Sequence, residues 1–265
     1  MYDRFRRRID YLRISVTDRC NLRCTYCMPA AGVELRRHRD MLSYEEIAAF
    51  VRVAVGMGIG RVRLTGGEPL VRRDLAVLVA ELAAIDGLHD LALTTNGILL
   101  PQLAGELAAA GLMRVNISLD AVDPARFAEI TRGGDVRQVL AGVAAARAAG
   151  LAPIKLNCVV EHGPHEPDAR DVAAFGREAG CEVRFVRRMD LRAGVFTRVI
   201  GGNGGDCPRC SRLRLTSDGR LRPCLFNDLE YDVRALGAEA ALRLAVAGKP
   251  AAGACSGAAM TSIGG

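Results

Sequence analysis

Tryptophan is absent from the 265 residues, and five tyrosines with seven phenylalanines bring aromatics to only 5%. Proteins that hold single-stranded nucleic acid stack bases on aromatic platforms, so this supply argues against that class. No apolar run is long enough to cross a bilayer and no leader of the secretory type opens the chain, so an oxidising compartment is not expected. The nine cysteines are therefore not read as a disulfide framework. A chain of this length, half hydrophobic, buries a core without such staples and calls for no second globular domain. The net charge of +6 then points to an anionic small ligand rather than to nucleic acid or a membrane surface. Most of the 36 basic residues are expected simply to solvate helix faces.

Cysteine is where the chain is rich. Cys20, Cys24 and Cys27 stand in a C-x3-C-x2-C run with no fourth cysteine nearby. Zinc sites and ferredoxin-type clusters take four protein ligands, so three close thiolates point to a [4Fe–4S] cluster with one iron left open. Cys207, Cys210 and Cys224 form a second triplet, C-x2-C-x13-C. It reads either as a second three-ligand cluster or as a zinc knuckle short of one ligand. Cys158, Cys181 and Cys255 are left over; core packing is the ordinary role of such thiols, and Cys255 is the one placed to serve as a fourth ligand.

Strand-type runs near 11–16, 61–65, 90–95, 113–118, 153–160 and 182–187 alternate with amphipathic stretches rich in Ala and Leu. That is the pattern of β–α units on a parallel sheet. Ser43 with Glu46 makes a capping box for a helix to about 56, 73–85 and 101–110 read as helices, and one over 136–149 ends at Gly150. Six repeats favour an α/β fold of the partial TIM barrel type, (β/α)6, over a doubly wound sheet. The expected organisation is a barrel over 1–190, a Gly-rich linker over 191–206, and a segment over 207–265 that carries the second triplet and a hairpin around Asp218-Gly219.

In either architecture ligands gather at the C-terminal ends of the strands. The first strand runs into the Cys20 loop, which sets the first triplet at the barrel mouth. The second ends in Thr65-Gly66-Gly67-Glu68-Pro69, where paired glycines let backbone approach a ligand closely and offer open C=O and N–H groups. Thr94-Thr95-Asn96-Gly97 and Asn116-Ile117-Ser118-Leu119-Asp120 end the third and fourth with small polar groups that suit a carboxylate or a ribose, or a helix cap.

The run from Arg13 to Cys24, Tyr26-Cys27-Met28-Pro29, the run from Arg63 to Leu70, Thr94-Thr95-Asn96-Gly97, Ser118-Leu119-Asp120, the second triplet and the terminal Gly264-Gly265 together resemble one family. It is that of the GTP 3′,8-cyclases, radical S-adenosylmethionine (SAM) enzymes that open molybdenum-cofactor biosynthesis, and the resemblance is nearly chain-long. It implies two [4Fe–4S] clusters, one binding SAM and one contacting guanine, with GTP between them. The implied reaction takes GTP to (8S)-3′,8-cyclo-7,8-dihydroguanosine 5′-triphosphate after a 5′-deoxyadenosyl radical removes the ribose C3′ hydrogen.

By the same resemblance Tyr26, Gly66, Gly67, Glu68, Thr94 and Ser118 meet SAM, while Arg13, Arg61, Arg63, Lys155, Arg184, Arg212 and Arg214 meet triphosphate and purine. Arg212, Arg214 and the tail residues Gly264 and Gly265 assist the chemistry. A cytoplasmic setting, a reductant such as flavodoxin or ferredoxin, a downstream cyclic pyranopterin monophosphate synthase and a homodimer are also implied, with neither membrane nor nucleic acid as partner. Cations facing inward at alternate strand positions are costly unless an anion meets them, and guanidinium groups suit a triphosphate.

One stretch departs from the family. Only the sixteen residues Leu191 to Asp206 separate the sixth strand region from Cys207, where the family carries a longer segment that lines the substrate cavity. Alternatives are a paralogous radical SAM enzyme acting on another nucleotide or on a peptide, and a zinc-containing RNA-binding protein.

Overall fold

The computed structural model describes residues 1–258 and 260. Six strands, β1 (Tyr11–Ser15), β2 (Arg61–Thr65), β3 (Asp90–Thr95), β4 (Arg114–Ser118), β5 (Lys155–Val160) and β6 (Glu182–Arg187), run parallel as neighbours in chain order. Between them lie α1 (Tyr44–Gly56), α2 (Leu75–Ala83), α3 (Leu100–Ala109), the pair α4 (Pro124–Thr131) and α5 (Val136–Ala148), and α6 (Pro167–Glu178). The six expected strands are all present, within two residues at each end. The capping box holds α1 as expected: Ser43 Oγ accepts from the Glu46 N–H at 3.2 Å and the Glu46 carboxylate accepts from the Ser43 N–H at 2.7 Å.

Alternation along each strand decides which face does what. Leu12 and Ile14, Val62 and Leu64, Leu91 and Leu93, Val115 and Ile117, and Leu156 and Cys158 point to the helices and are buried there. The intervening residues Arg13, Arg63, Thr94, Asn116, Ser118, Lys155, Asn157 and Arg184 point to the opposite, concave side. Parallel sheets usually bury both faces and read as continuous apolar runs. Here one face is polar, so it lines a space instead of a second core layer.

The C-terminal part is not set apart from this sheet. β7 (Arg212–Leu215) pairs parallel with β1, and β8 (Arg220–Arg222) and β9 (Tyr231–Asp232) continue antiparallel, so that the order is β6-β5-β4-β3-β2-β1-β7-β8-β9. The expected hairpin at Asp218-Gly219 joins β7 to β8. Then α7 (Val233–Leu236) and α8 (Ala238–Ala247) follow, with Ala241, Leu242 and Ala245 joining the same core.

The stretch expected as a free linker is held in place. Asp190 and Val195 exchange backbone hydrogen bonds of 2.9 and 2.8 Å, Ile200 exchanges bonds of 3.0 and 3.1 Å with Phe185 on β6, and the Val199 N–H reaches the Gly204 carbonyl at 2.8 Å. Backbone partners, which glycine content does not reveal, make it a wall along the outer edge of β6.

Candidate active site

The loop bearing the first triplet is seated on the paired glycines. The Gly67 N–H donates to the Thr17 carbonyl at 2.8 Å and the Glu68 N–H to that of Arg19 at 2.7 Å. A Cβ on Gly66 would stand 2.7 Å from Thr17 O, and one on Gly67 2.4 Å from Arg19 O. The expectation of N–H groups open to a ligand is thus corrected for Gly67: the close approach is between two protein loops, and the Gly67 and Glu68 N–H groups are used in holding the cysteine loop.

Glu68 is buried in the same seat. Its carboxylate accepts from the Leu70 N–H (3.1 Å), the Thr95 hydroxyl (2.6 Å) and the Asn96 N–H (2.7 Å). Burial pushes its pKa up to about 7 in spite of those donors. The amide of Asn96 donates to Asn21 Oδ1 at 2.7 Å, a second tie between the β3 end and the cysteine loop. Across the loop, the Tyr26 hydroxyl donates to Asp120 at 2.6 Å, and the other Asp120 oxygen accepts from the Val159 N–H at 2.8 Å. Burial raises Asp120 to about 6. Asp120 is a residue of this seat that its motif alone did not single out, since its contact depends on the ring that comes to meet it.

The polar side of the sheet encloses a cavity of about 830 Å³, within the range of about 300–1,000 Å³ typical of small-molecule sites. All six triplet cysteines line it, together with Tyr26, Gly66, Gly67, Glu68, Thr94, Ser118, Arg13, Arg61, Arg63, Lys155, Arg184, Arg212 and Arg214. The structure therefore brings together every expected site residue except Gly264 and Gly265, which lie outside the described residues. Cys255 is exposed and off the cavity wall.

The cations stand in rows set by strand register. Arg13 is directly opposite Arg63 on one side and Arg214 on the other, and Tyr11 is opposite Arg61 and Arg212. Burial, followed by the charge of Arg214, drives Arg13 well below the usual guanidinium range; burial and Arg212 bring Arg214 down to about 10. Not all of these groups are equally open to a ligand. Arg61 is paired with Asp10 and Lys155 with Glu182. Among the described residues Arg63 hydrogen-bonds neutral groups, Tyr11, Thr94 and the Leu93 carbonyl. Two buried polar atoms on this wall, Arg184 Nε and Asn116 Oδ1, have no hydrogen-bond partner among the described residues, which is the condition of groups awaiting a ligand.

The two triplets sit in different electrostatic settings. Burial raises Cys20 to about 11 and Cys24 to about 12, with Glu68 and Asp120 adding to the effect, and it raises Cys27 as well. Cys210 goes the other way: burial pushes it up, but Lys249, the Arg212 N–H and the charges of Arg212 and Arg214 more than offset this. Lys249 and Arg7, both buried beside the second triplet, were not legible in the sequence, where a lone Lys-Pro and an N-terminal Arg run carry no signal.

The donor set fits iron–sulfur clusters. Each triplet presents three free, half-buried thiols to one cavity. Among the described residues no three His, Cys, Asp or Glu side chains converge on a point fit for a single ion.

The chain matches the model of the Radical SAM superfamily over residues 14–176. The GTP 3′,8-cyclase of Moorella thermoacetica is 45% identical over 279 aligned positions, covering 88% of this chain and 86% of that protein. That of Geobacter sulfurreducens is 42% identical with the same coverage. The aligned positions outnumber the residues of this chain, so the relative carries insertions that this chain lacks. Among solved structures, Streptococcus suis SuiB bound to S-adenosylmethionine superposes with a TM-score of 0.59 at 20% identity, over 69% of this chain and 42% of that one. Methylornithine synthase (PylB) superposes with 0.56 at 18% identity, over 69% and 54%. At such identities the likeness is one of fold.

Proposed function

Because the chain belongs to the GTP 3′,8-cyclases of the radical SAM superfamily, we propose that its cavity is where GTP is bound and cyclised to (8S)-3′,8-cyclo-7,8-dihydroguanosine 5′-triphosphate. The enzyme uses SAM and a [4Fe–4S] cluster in molybdenum-cofactor biosynthesis. The observation that carries the assignment of the cavity is the register-matched rows of inward arginines between two cysteine triplets. An RNA-binding protein would carry these charges on an exposed stripe, not inside the sheet's concave face.

In this reading Cys20, Cys24 and Cys27 hold the first cluster, Cys207, Cys210 and Cys224 hold an auxiliary [4Fe–4S] cluster, and GTP spans the space between. Bound at the first triplet, the cluster with SAM supplies a 5′-deoxyadenosyl radical. The protein's part is placement. Arg13, Arg63 and Arg214 neutralise and orient the triphosphate, replacing mutual repulsion with attraction. Thr94 and Ser118, on the concave face near the first triplet, and Glu68 beneath it, fix SAM. Arg212 and Arg214 stand beside Cys210 and Cys224, where they meet the purine. Stacked Phe196 and Phe226, whose ring centroids are 4.3 Å apart, keep water from that end. Arg61 and Lys155 serve through their pairs with Asp10 and Glu182, shaping the wall, and release to the substrate only if those pairs open. The Gly264-Gly265 tail retains its proposed assisting role. A reductant such as flavodoxin or ferredoxin, a following cyclic pyranopterin monophosphate synthase, a homodimer and a cytoplasmic setting belong to the same proposal. Among the described residues no helix is long and apolar enough to cross a membrane.

The test is anaerobic reconstitution with iron and sulfide, then reduction with SAM and each nucleoside triphosphate in turn. GTP-stimulated 5′-deoxyadenosine, about eight irons per chain, and loss of 5′-deoxyadenosine in Cys24→Ser are expected. GTP-dependent SAM cleavage that survives Cys24→Ser defeats the proposal.

A further inference from the structure

We propose that Arg7 and Lys249 form a two-cation clamp that assembles the second cysteine triplet, with Lys249 the positioning residue for the metal cluster held there. The inference rests on the reading of that triplet as a cluster site. The triplet is discontinuous: Cys207 and Cys210 precede β7, and Cys224 follows β8. Something must hold these stretches in one frame, and the hydrogen bonds show what does.

Arg7, nearly buried, spends its Nε–H on the Asp3 carboxylate at 2.6 Å. Its remaining N–H groups donate to the carbonyls of Cys207 (2.8 Å), Ala251 (3.0 Å) and Pro250 (2.6 Å). Lys249, 2% exposed, donates from Nζ to the carbonyls of Arg212 and Pro223, both at 2.6 Å. Every thiol-bearing stretch is thereby tied to the segment 249–251: Cys207 through Arg7, the chain just after Cys210 and the chain just before Cys224 through Lys249. Helix α8 delivers the lysine. A Cβ on Gly248, its C-cap, would lie 2.4 Å from the Tyr231 hydroxyl, so a larger residue there would have to push that ring aside.

The charge balance supports the same conclusion. Burying an ammonium costs several kcal/mol unless an opposite charge meets it. Carbonyls take two of its N–H groups, and the sulfurs of Cys210 and Cys224 are the groups whose negative charge favours its charged form, with Cys210 also a hydrogen-bond partner. A thiolate-bound cluster is the anion that this cation complements. Hydrogen bonds to ligand sulfur also raise the reduction potential of such a cluster.

The experiment reconstitutes the full chain anaerobically as wild type, Lys249→Met and Arg7→Lys. It reads iron per chain, the electron paramagnetic resonance of each cluster, and amide hydrogen exchange at 207–212 and 220–224. In Lys249→Met we expect iron to fall from about eight to about four per chain, with the SAM-responsive signal of the first cluster retained. Exchange at 207–212 should quicken about tenfold. Arg7→Lys, which keeps the Asp3 pair and loses the span across three carbonyls, gives a partial version and serves if Lys249→Met does not fold. Full iron, an unchanged auxiliary signal and unchanged exchange in both variants overturn the clamp. If the wild type itself takes up only about four irons, the auxiliary-cluster reading fails. The clamp is then judged on the metal-free chain, where quicker exchange in the variants upholds it and equal exchange refutes it.

Discussion

Glu68 shows how far burial sets the behaviour of one side chain in this site. Its folded-state pKa is about 7 against an ordinary 4.5, so the proton is held more tightly folded than unfolded. The stability this contributes is complete below pH 4.5 and disappears as pH rises through 7, a change of about 3 kcal/mol across that window. In the metal-free chain, Glu68→Gln should remove this slope while losing one of three accepted hydrogen bonds, about 1–3 kcal/mol. Melting curves of both proteins from pH 4.5 to 8 check it: the gap should narrow toward pH 8, and a constant gap contradicts the assignment. Tyr26→Phe poses a related question, because it leaves a buried Asp120 oxygen without its donor. A loss of about 1–3 kcal/mol in denaturant unfolding is expected, together with a raised KM for SAM. Arg63 answers to the substrate instead. Since its partners among the described residues are neutral, Arg63→Met should cut kcat/KM for GTP by about 100-fold, the scale on which one charge-assisted bidentate pair acts, and leave SAM binding intact.

The loop between β1 and α1 and the turn after β2 act as one unit, joined by two backbone hydrogen bonds and by the absence of two Cβ atoms. Gly67→Ala would place a methyl group 2.4 Å from the Arg19 carbonyl, a backbone atom that cannot swing aside. The expected cost is about 2–4 kcal/mol, with the first cluster lost and the second retained, read as iron per chain and melting temperature. Alanine at 67 with full iron at the first triplet would show that this seat is not needed. The segment from Leu191 to Asp206 is the other element whose role differs from its composition. Bonded to β6 at Ile200 and closed on itself at Val199 and Gly204, it covers one side of the cavity. Tryptic cleavage at exposed Arg192 should slow several-fold when GTP fills the space behind it, in a time course followed by mass spectrometry. Equal rates with and without GTP would place the nucleotide elsewhere.

Taken together, the strands, the triplets and the segment 207–258 are arranged on one continuous nine-stranded sheet. β7 lies beside β1, so Arg7 meets Pro250 and Ala251 at the second triplet while the first sits at the strand ends of β1 and β2. GTP that bridges them should stabilise the holoprotein as a ligand of the folded state alone does: at a hundredfold excess over Kd, by about 2.7 kcal/mol. The rise in melting temperature should shrink steeply with added salt in the wild type and be more than halved in Arg63→Met. Insensitivity to salt would remove the arginine rows from the binding event.

The sequence by itself determined the spacing of the thiols and the alternation of strands. These are local properties that tertiary packing does not rewrite, which is why the six strands and the expected residues that line the cavity were legible. Helices α4 and α6 were not, since their apolar stripes are short: Phe127 and Thr131 in one, and Ala169, Val172 and Gly176 in the other, are all they bury. What only the tertiary structure decided is how distant stretches meet. The glycine pair serves the cysteine loop, Asp120 holds Tyr26, the Gly-rich segment is a wall, and Arg7 and Lys249 reach the second triplet from opposite ends of the chain. None of these has a local signature, because each depends on a partner about 15 to 240 residues away that is brought into hydrogen-bonding range only when the sheet forms.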